Sequence, residues 1–259
     1  MTPTIRRWSR WAALASVAVL CLALRSDATR SMMPGVSGRM TSLPHRVLWT
    51  WERAEDLRGI DPGTTAVAYL DQTILLGREV VSRPRRDALA YPNGTTLMAV
   101  VRIEVAPGAA LDRTQRVRVV ELLLESAQRP GIAALQVDFD ATRSQRAFYA
   151  DVLGDLRRRM PPGLPLSMTS LASWCSYNDW IGGLPVDEAV PMFFRMEPNR
   201  RRVSRDAAEM QIREPLCMES AGVSTHEPWP GDLSGKRVYV FADRGWREDF
   251  SLVSERGLR

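Results

Sequence analysis

The sequence predicts an α/β protein built as a (β/α)8 TIM-type barrel, irregular in its first third. Three observations lead there. The middle of the chain alternates strand, helix, strand, helix, strand, a pattern that needs a parallel sheet with right-handed crossovers. From Arg46 onward eight segments read as parallel strands, the number that closes such a barrel. The fourth of these, residues 131–140 (G-I-A-A-L-Q-V-D-F-D), ends in two carboxylates spaced two apart. Strand side chains alternate faces, so Gln136, Asp138 and Asp140 share one face, and Leu135, Val137 and Phe139 the other. With helices on both flanks and apolar strands beside it, the polar face is expected to point into the middle of a closed sheet. A carboxylate there is costly unless paired or working. An open doubly wound sheet is the alternative, although no Gly-rich phosphate loop follows the first strand.

The chain of 259 residues is long enough for one full core. Its start reads as an export signal over residues 1–28. Arg6, Arg7 and Arg10 precede an uncharged apolar run at 11–24, and Ser26-Asp27-Ala28 offers a small-residue cleavage site. The run is short for a membrane span, which takes about 20 residues; an uncleaved inner-membrane anchor is the alternative. Cys21 follows Leu20, where a lipoprotein signal would want a small residue. Removing the signal takes four arginines and one aspartate, lowering the formal charge from +5 to about +2. Lys236 is the only lysine, and the arginines form no stripe, so nothing points to nucleic acid. A periplasmic or secreted protein is expected, touching a membrane only through an uncleaved N-terminus.

Residues 29–43, rich in Ser, Met, Gly and Pro, read as a linker, and 44–247 as the barrel domain. Residues 46–51 (R-V-L-W-T-W) form the first strand, followed by a brief helical piece at 54–58 and a second strand at 65–71. Segments 74–81 and 95–105 look extended and are joined through Tyr91-Pro92-Asn93-Gly94, a turn signal. No helix fits between them, hence the irregular first third. Asp112 with Gln115 resembles a capping box, and Val117, Val120, Leu124 and Ala127 make a helical stripe that ends at Arg129-Pro130-Gly131. A helix at 144–160 follows the Asp138 strand. It closes on Arg157-Arg158-Arg159, a charge suited to a helix C-terminus, and stops at Pro161-Pro162-Gly163. Further strands are expected at 166–171, 189–196, 221–225 and 237–242, with a helix at 203–212 and a tail at 248–259.

In such barrels the active site lies at the C-terminal strand ends. Here nearly every end carries a carboxylate, an arginine or a tryptophan. Paired carboxylates serve the hydrolysis of sugar linkages: one, kept protonated by an apolar setting, protonates the leaving oxygen, and the other acts as nucleophile or base. Asp140 is the candidate acid and Glu227, three strands later, its partner. Asp138 lies deeper as a supporting carboxylate, or is simply a salt-bridged interior residue. Arg102 and Arg195 would tune charge or bind acidic sugars, and Asp243 lies at the last strand end. Flat rings stack on sugars, which makes Trp51, Trp174 and Trp229 candidate platforms, although such rings often belong to the core. The expected partner is therefore a glycan or polysaccharide.

His45 and His226 are the only histidines and are expected at opposite ends of the barrel, so no metal site is assigned. No motif calls for a cofactor, and no G-x-S-x-G elbow supports serine catalysis. Cys175 and Cys217 remain after signal removal; in an exported chain an even pair argues for one disulfide, against two separate buried thiols.

Four ordered blocks carry a resemblance: L-Q-V-D-F-D (135–140), S-M-T-S-L-A-S-W-C (167–175), L-P-V-D-E-A-V-P-M-F-F-R-M (184–196) and G-V-S-T-H-E-P-W (222–229). Together they resemble a bacterial family of exported proteins classed as a domain of unknown function, over most of residues 44–246. The resemblance includes Cys175 and Cys217 and implies a disulfide. More distantly, the Asp138 strand is similar to the fourth-strand motif D-x-x-D-x-D-x-E of chitinase-type glycoside hydrolases. If Asp138 and Asp140 are its last two aspartates, Thr142 stands where the catalytic Glu would be. The placement of Asp140 and Glu227 also resembles barrel glycosidases with an acid after strand four and a nucleophile after strand seven, without their usual Asn-Glu pair. The resemblance implies a glycoside-hydrolase-like protein acting on an envelope or extracellular glycan, or a non-catalytic glycan-binding barrel.

Overall fold

The computed structural model describes residues 38–177, 180–194 and 211–255. Its strands are β1 (Arg46–Thr50), β2 (Glu55–Asp56), β3 (Thr65–Leu76), β4 (Val80–Pro84), β5 (Leu89–Ala90), β6 (Thr96–Val105), β7 (Ile132–Asp138), β8 (Leu166–Leu171), β9 (Glu188–Met192), β10 (Ser220–Ser224) and β11 (Arg237–Phe241). The α-helices are α1 (Arg113–Ala127), α2 (Arg146–Arg159), α3 (Ala172–Ser176) and α4 (Trp246–Glu255). In parallel order β1, β3, β6, β7, β8, β9, β10 and β11 form a ring, and β1 pairs with both β3 and β11 to close it. Those two pairings decide for the (β/α)8 barrel and against the open sheet.

The irregular first third has a local cause. β3 is a single twelve-residue strand that joins the expected segment at 65–71 to Ile74–Leu76. Its register against β6 slips between Leu70 and Gln72. One extra residue turns every later side chain to the other face. Ala66, Ala68 and Leu70 therefore pack inside the barrel, whereas Ile74 and Leu76 pack in the outer layer with α1. β4 pairs antiparallel with the outer half of β3. Residues 54–58 are not helical: β2 makes a two-residue parallel ladder with β5. Two short extended excursions thus replace helices here.

The helices bury one face each. Asp112 caps α1 by accepting the Gln115 N–H at 2.9 Å, and the Gln115 side chain accepts the N–H of Leu111, one residue earlier than a capping box requires. Val119, Val120, Leu123, Leu124 and Ala127 are buried, while Val117, expected in the stripe, is exposed. α2 buries Tyr149, Val152, Leu153 and Leu156 in the same layer, each full burial contributing about 1.5–3 kcal/mol. Two helices lacked a sequence signal. The five residues of α3 are too few for a periodic stripe. α4, which occupies much of the stretch expected as a tail at 248–259, packs through Trp246, Asp249 and Val253, an i, i+3, i+7 face whose middle position is a carboxylate and so does not read as an apolar stripe. The expected helix at 203–212 lies outside the described residues except for its last two positions, which are not helical.

Polar residues fill the lower barrel. Trp49 Nε1 donates to Gln136 Oε1 at 2.9 Å, and Gln136 Nε2 to Ser167 Oγ at 3.1 Å. Glu188 Oε2 accepts from Tyr239 at 2.6 Å, and Arg237 pairs with Glu188 Oε1 at 2.7 Å. Arg237 also donates to the carbonyls of Met40 and Pro44, which ties the segment before β1 across the bottom of the barrel. The opposite end of the barrel, at the C-terminal ends of the strands, is its mouth.

Candidate functional site

The mouth is organised by β6 and β7, whose register sets Arg102 directly beside Asp138. Alternation from the buried Met98 and Val100 carries Arg102 inward, and from Ala134 and Gln136 it carries Asp138 inward. The guanidinium donates from Nη1 to Asp138 Oδ2 at 2.7 Å and from Nε to Glu104 Oε1 at 3.0 Å. Its Nη2 lies 3.8 Å from Asp140 Oδ2, and its carbon lies 5.7 Å from the centre of the Trp51 ring. Asp138 is 3% exposed, and its second oxygen accepts from Thr169 of β8 at 2.7 Å. Asp140 is different. Its side chain is 50% exposed and has no hydrogen bond to the arginine.

Three carboxylates surround one guanidinium, so the cluster would carry surplus negative charge if all were ionised. The electrostatics follow. Burial opposes the charge on Arg102, but Asp138, Glu104 and Asp140 outweigh it and raise its pKa. Partial burial of Asp140, together with the neighbouring Asp138 carboxylate, raises its pKa above the ordinary aspartate value against the pull of Arg102. Asp140 thus combines a raised pKa with a side chain half open to solvent. Three acids engage Arg102, which leaves little of its charge for an acidic sugar.

The other expected residues are dispersed. Trp51 stands at the mouth, edge-on to Trp49 at 4.4 Å between centroids. Trp174 is not a platform: it is 3% exposed, edge-on to Trp180 in the outer layer, with the Arg146 guanidinium over both rings. Trp229 is half-buried, packs against the outer apolar layer of β1, β10 and β11, and donates from Nε1 to the Ser224 carbonyl at 2.8 Å. Glu227 is half-buried in the loop after β10. Asp243 follows β11; its backbone N–H donates to Thr225 Oγ1 at 3.2 Å and its carbonyl accepts from Arg53 Nη1 at 3.2 Å. Arg195 lies outside the described residues. Asp71, at an expected strand end, is the bulge residue of β3 and accepts from Ser126 and Arg129 on the outer side of the barrel.

Cys175 and Cys217 are bonded, with Cα atoms 6.0 Å apart. The bond ties α3, directly after β8, to the approach to β10. Among the described residues no helix is long and apolar enough to cross a membrane, and no group of three or more His, Cys, Asp or Glu side chains could hold a metal ion.

Residues 93–192 match the model of a domain of unknown function, DUF3142. That stretch runs from the turn before β6 to the end of β9 and so contains Arg102, Asp138 and Asp140. No curated protein matches the chain. Among solved structures, a Streptomyces coelicolor protein described as a candidate chitinase A is similar at 9% identity and a TM-score of 0.56, over 82% of this chain and 96% of that one. The Bacillus cereus spore cortex-lytic enzyme SleL is similar at 16% identity and 0.47, over 69% and 50%. The chitinase domain of the Clostridium difficile spore coat protein CotE is similar at 13% identity and 0.45, over 83% and 73%. The chitinase A likeness shows the fold alone, a closed eight-stranded parallel barrel.

Sequence reasoning missed a second cluster at the mouth. Asp249 of α4 is buried and accepts from Thr225 Oγ1 at 2.6 Å, from the Arg244 N–H at 3.2 Å and from His226 Nε2 at 2.8 Å. Burial pushes the Asp249 pKa up, but the bonds from Thr225, His226 and Arg244 prevail and hold it below the ordinary value. The only available signal was His226 itself, and nothing in the spacing tied it to a residue 23 positions later in an unforeseen helix.

Proposed function

We propose that the barrel mouth binds a glycan and hydrolyses it with Asp140 as general acid. The observation that carries this is the cluster itself: a half-exposed carboxyl with a raised pKa, beside an arginine-paired Asp138, at the C-terminal end of a closed parallel barrel. A raised pKa keeps a carboxylic acid protonated closer to neutrality, which is what protonation of a leaving oxygen requires. Asp138 acts by holding Arg102 and by raising the proton affinity of Asp140. Glu227, on the loop after the seventh barrel strand, is the second carboxylate, as nucleophile or base. Trp51 offers a ring at the mouth. The surplus of acid suits a neutral or basic sugar at the point of cleavage. The fold it shares with a protein described as a candidate chitinase A supports this reading, and the disulfide supports an exported protein working in an oxidising compartment.

A second reading, glycan binding without chemistry, is favoured by Thr142. It stands where the chitinase-type motif places its catalytic Glu, is exposed, and donates its backbone N–H to Gln145 Oε1 at 2.8 Å at the entry to α2. A screen of neutral oligosaccharides for binding and for hydrolysis products separates the two. Cleavage supports the first reading, binding without cleavage of any of them the second, and neither binding nor cleavage would sink both.

A further inference from the structure

Beside α4 lies a groove of about 510 Å³, lined by Asp56, Arg58, Gly59, Trp246, Arg247 and Phe250. None of these residues belongs to the Arg102 cluster. The groove runs between the loop that leaves β1 and the helix that follows β11, and Trp246 forms its floor through a backbone N–H bonded to Glu55 at 2.9 Å. Its volume falls within the range of small-ligand sites.

The charge is arranged. Asp56 accepts from Arg58 Nε at 2.9 Å and Nη2 at 2.6 Å, a forked pairing that fixes the plane of the guanidinium. An arginine carries five N–H donors, so three on Arg58 remain for another acceptor. Arg247 is exposed and, among the described residues, forms no ion pair. Two arginines against one aspartate leave the groove with net positive charge, next to the half-buried Phe250 ring and the open backbone at Gly59. The mouth has the opposite balance, with three carboxylates on Arg102.

We propose that this groove is a separate binding site for a carboxylate-bearing oligosaccharide, with its acidic groups on Arg58 and Arg247 and a sugar face on Phe250. Complementarity selects that occupant. Planar guanidinium groups match carboxylates, an aromatic ring matches an apolar sugar face, and the acid-rich mouth repels such a chain. The site does not depend on whether the mouth is catalytic.

The test is titration of the exported full chain with an oligogalacturonate, with a neutral oligosaccharide of equal length and inorganic phosphate as controls. The expected result is binding of the oligogalacturonate alone, weakened about fivefold to tenfold by Arg247→Ala or Arg58→Ala and further by added salt. Both side chains are exposed, so the fold is not at stake. Arg102→Met, at the mouth, should leave this binding unchanged. Equal binding of the neutral chain, competition by phosphate at matched concentration, or indifference to both arginine substitutions would overturn the proposal. Loss of binding with Arg102→Met alone would also overturn it, by moving the ligand to the mouth without touching the reading of the mouth itself.

Discussion

Arg102 and Asp138 are register partners on adjacent parallel strands, and their Nη1 and Oδ2 atoms lie 2.7 Å apart with the carboxylate almost wholly buried. Breaking such a pair from one side leaves a buried charge without its partner, which costs about 3 kcal/mol. Arg102→Met, which strands the buried Asp138, is therefore expected to lower the unfolding free energy by about that amount, measured by urea denaturation, and more than Asp140→Ala does. Equal losses would mean that the pair adds nothing beyond its exposed neighbour.

Arg102 lowers the proton affinity of Asp140, against burial and Asp138. Arg102→Met should move the Asp140 pKa upward. In any hydrolysis assay the alkaline limb of the pH–rate profile should shift in the same direction, because the acid stays protonated to higher pH. A shift to lower pH would contradict the assignment. For stability the sign is opposite to that of a typical paired aspartate. A raised folded pKa makes a contribution that is fully present below the unfolded value and is lost as pH rises through the folded one. Asp140→Asn should consequently leave the melting temperature at pH 7 unchanged or slightly higher.

Asp249 runs the other way, since its folded pKa is lowered. The stability it contributes is present above the unfolded aspartate value and is lost as pH falls through the folded one. Asp249→Asn should cost about 1–3 kcal/mol at pH 7, because Thr225 and the Arg244 N–H would lose a charged acceptor. The difference from wild type should shrink at acid pH; a gap that stays constant down to pH 2 would mean Asp249 is not the titrating group.

The disulfide links residues 42 apart, so its removal frees a long loop in the unfolded chain. Cys175→Ser with Cys217→Ser should destabilise the protein by about 3–4 kcal/mol. No change in the unfolding midpoint between oxidised and reduced wild type would contradict this.

The barrel was legible because its strands announce themselves. An apolar run that ends in Asp138 and Asp140 fits a closed parallel ring better than an open sheet, and Gln136 and Asp138 do face its interior. The outer layer was legible where a helix carries a stripe, as α2 does, and less so in α1, where Val117 turned outward. The first third resisted because one inserted residue at Asp71 flips the faces of β3, and no composition rule marks a bulge. Site residues were harder. Strand ends locate the mouth, yet Trp174 looks the same in sequence whether its ring lines a cleft or, as here, sits under Arg146. His226 and Asp249, and likewise Glu188 and Arg237, meet only through tertiary packing, so their separation in sequence hides them.

The proposal rests on Asp140 doing chemistry, and the pH–rate profile of hydrolysis by wild type and Asp140→Asn tests this most directly, on whichever neutral oligosaccharide the chain binds. The expected result is a wild-type rate that falls as pH rises through the elevated pKa of Asp140, and a variant that binds the glycan with the same affinity but turns it over at least a hundredfold more slowly, the scale of a lost general acid. Unaltered turnover by the variant, or a wild-type profile flat across that range, would contradict it.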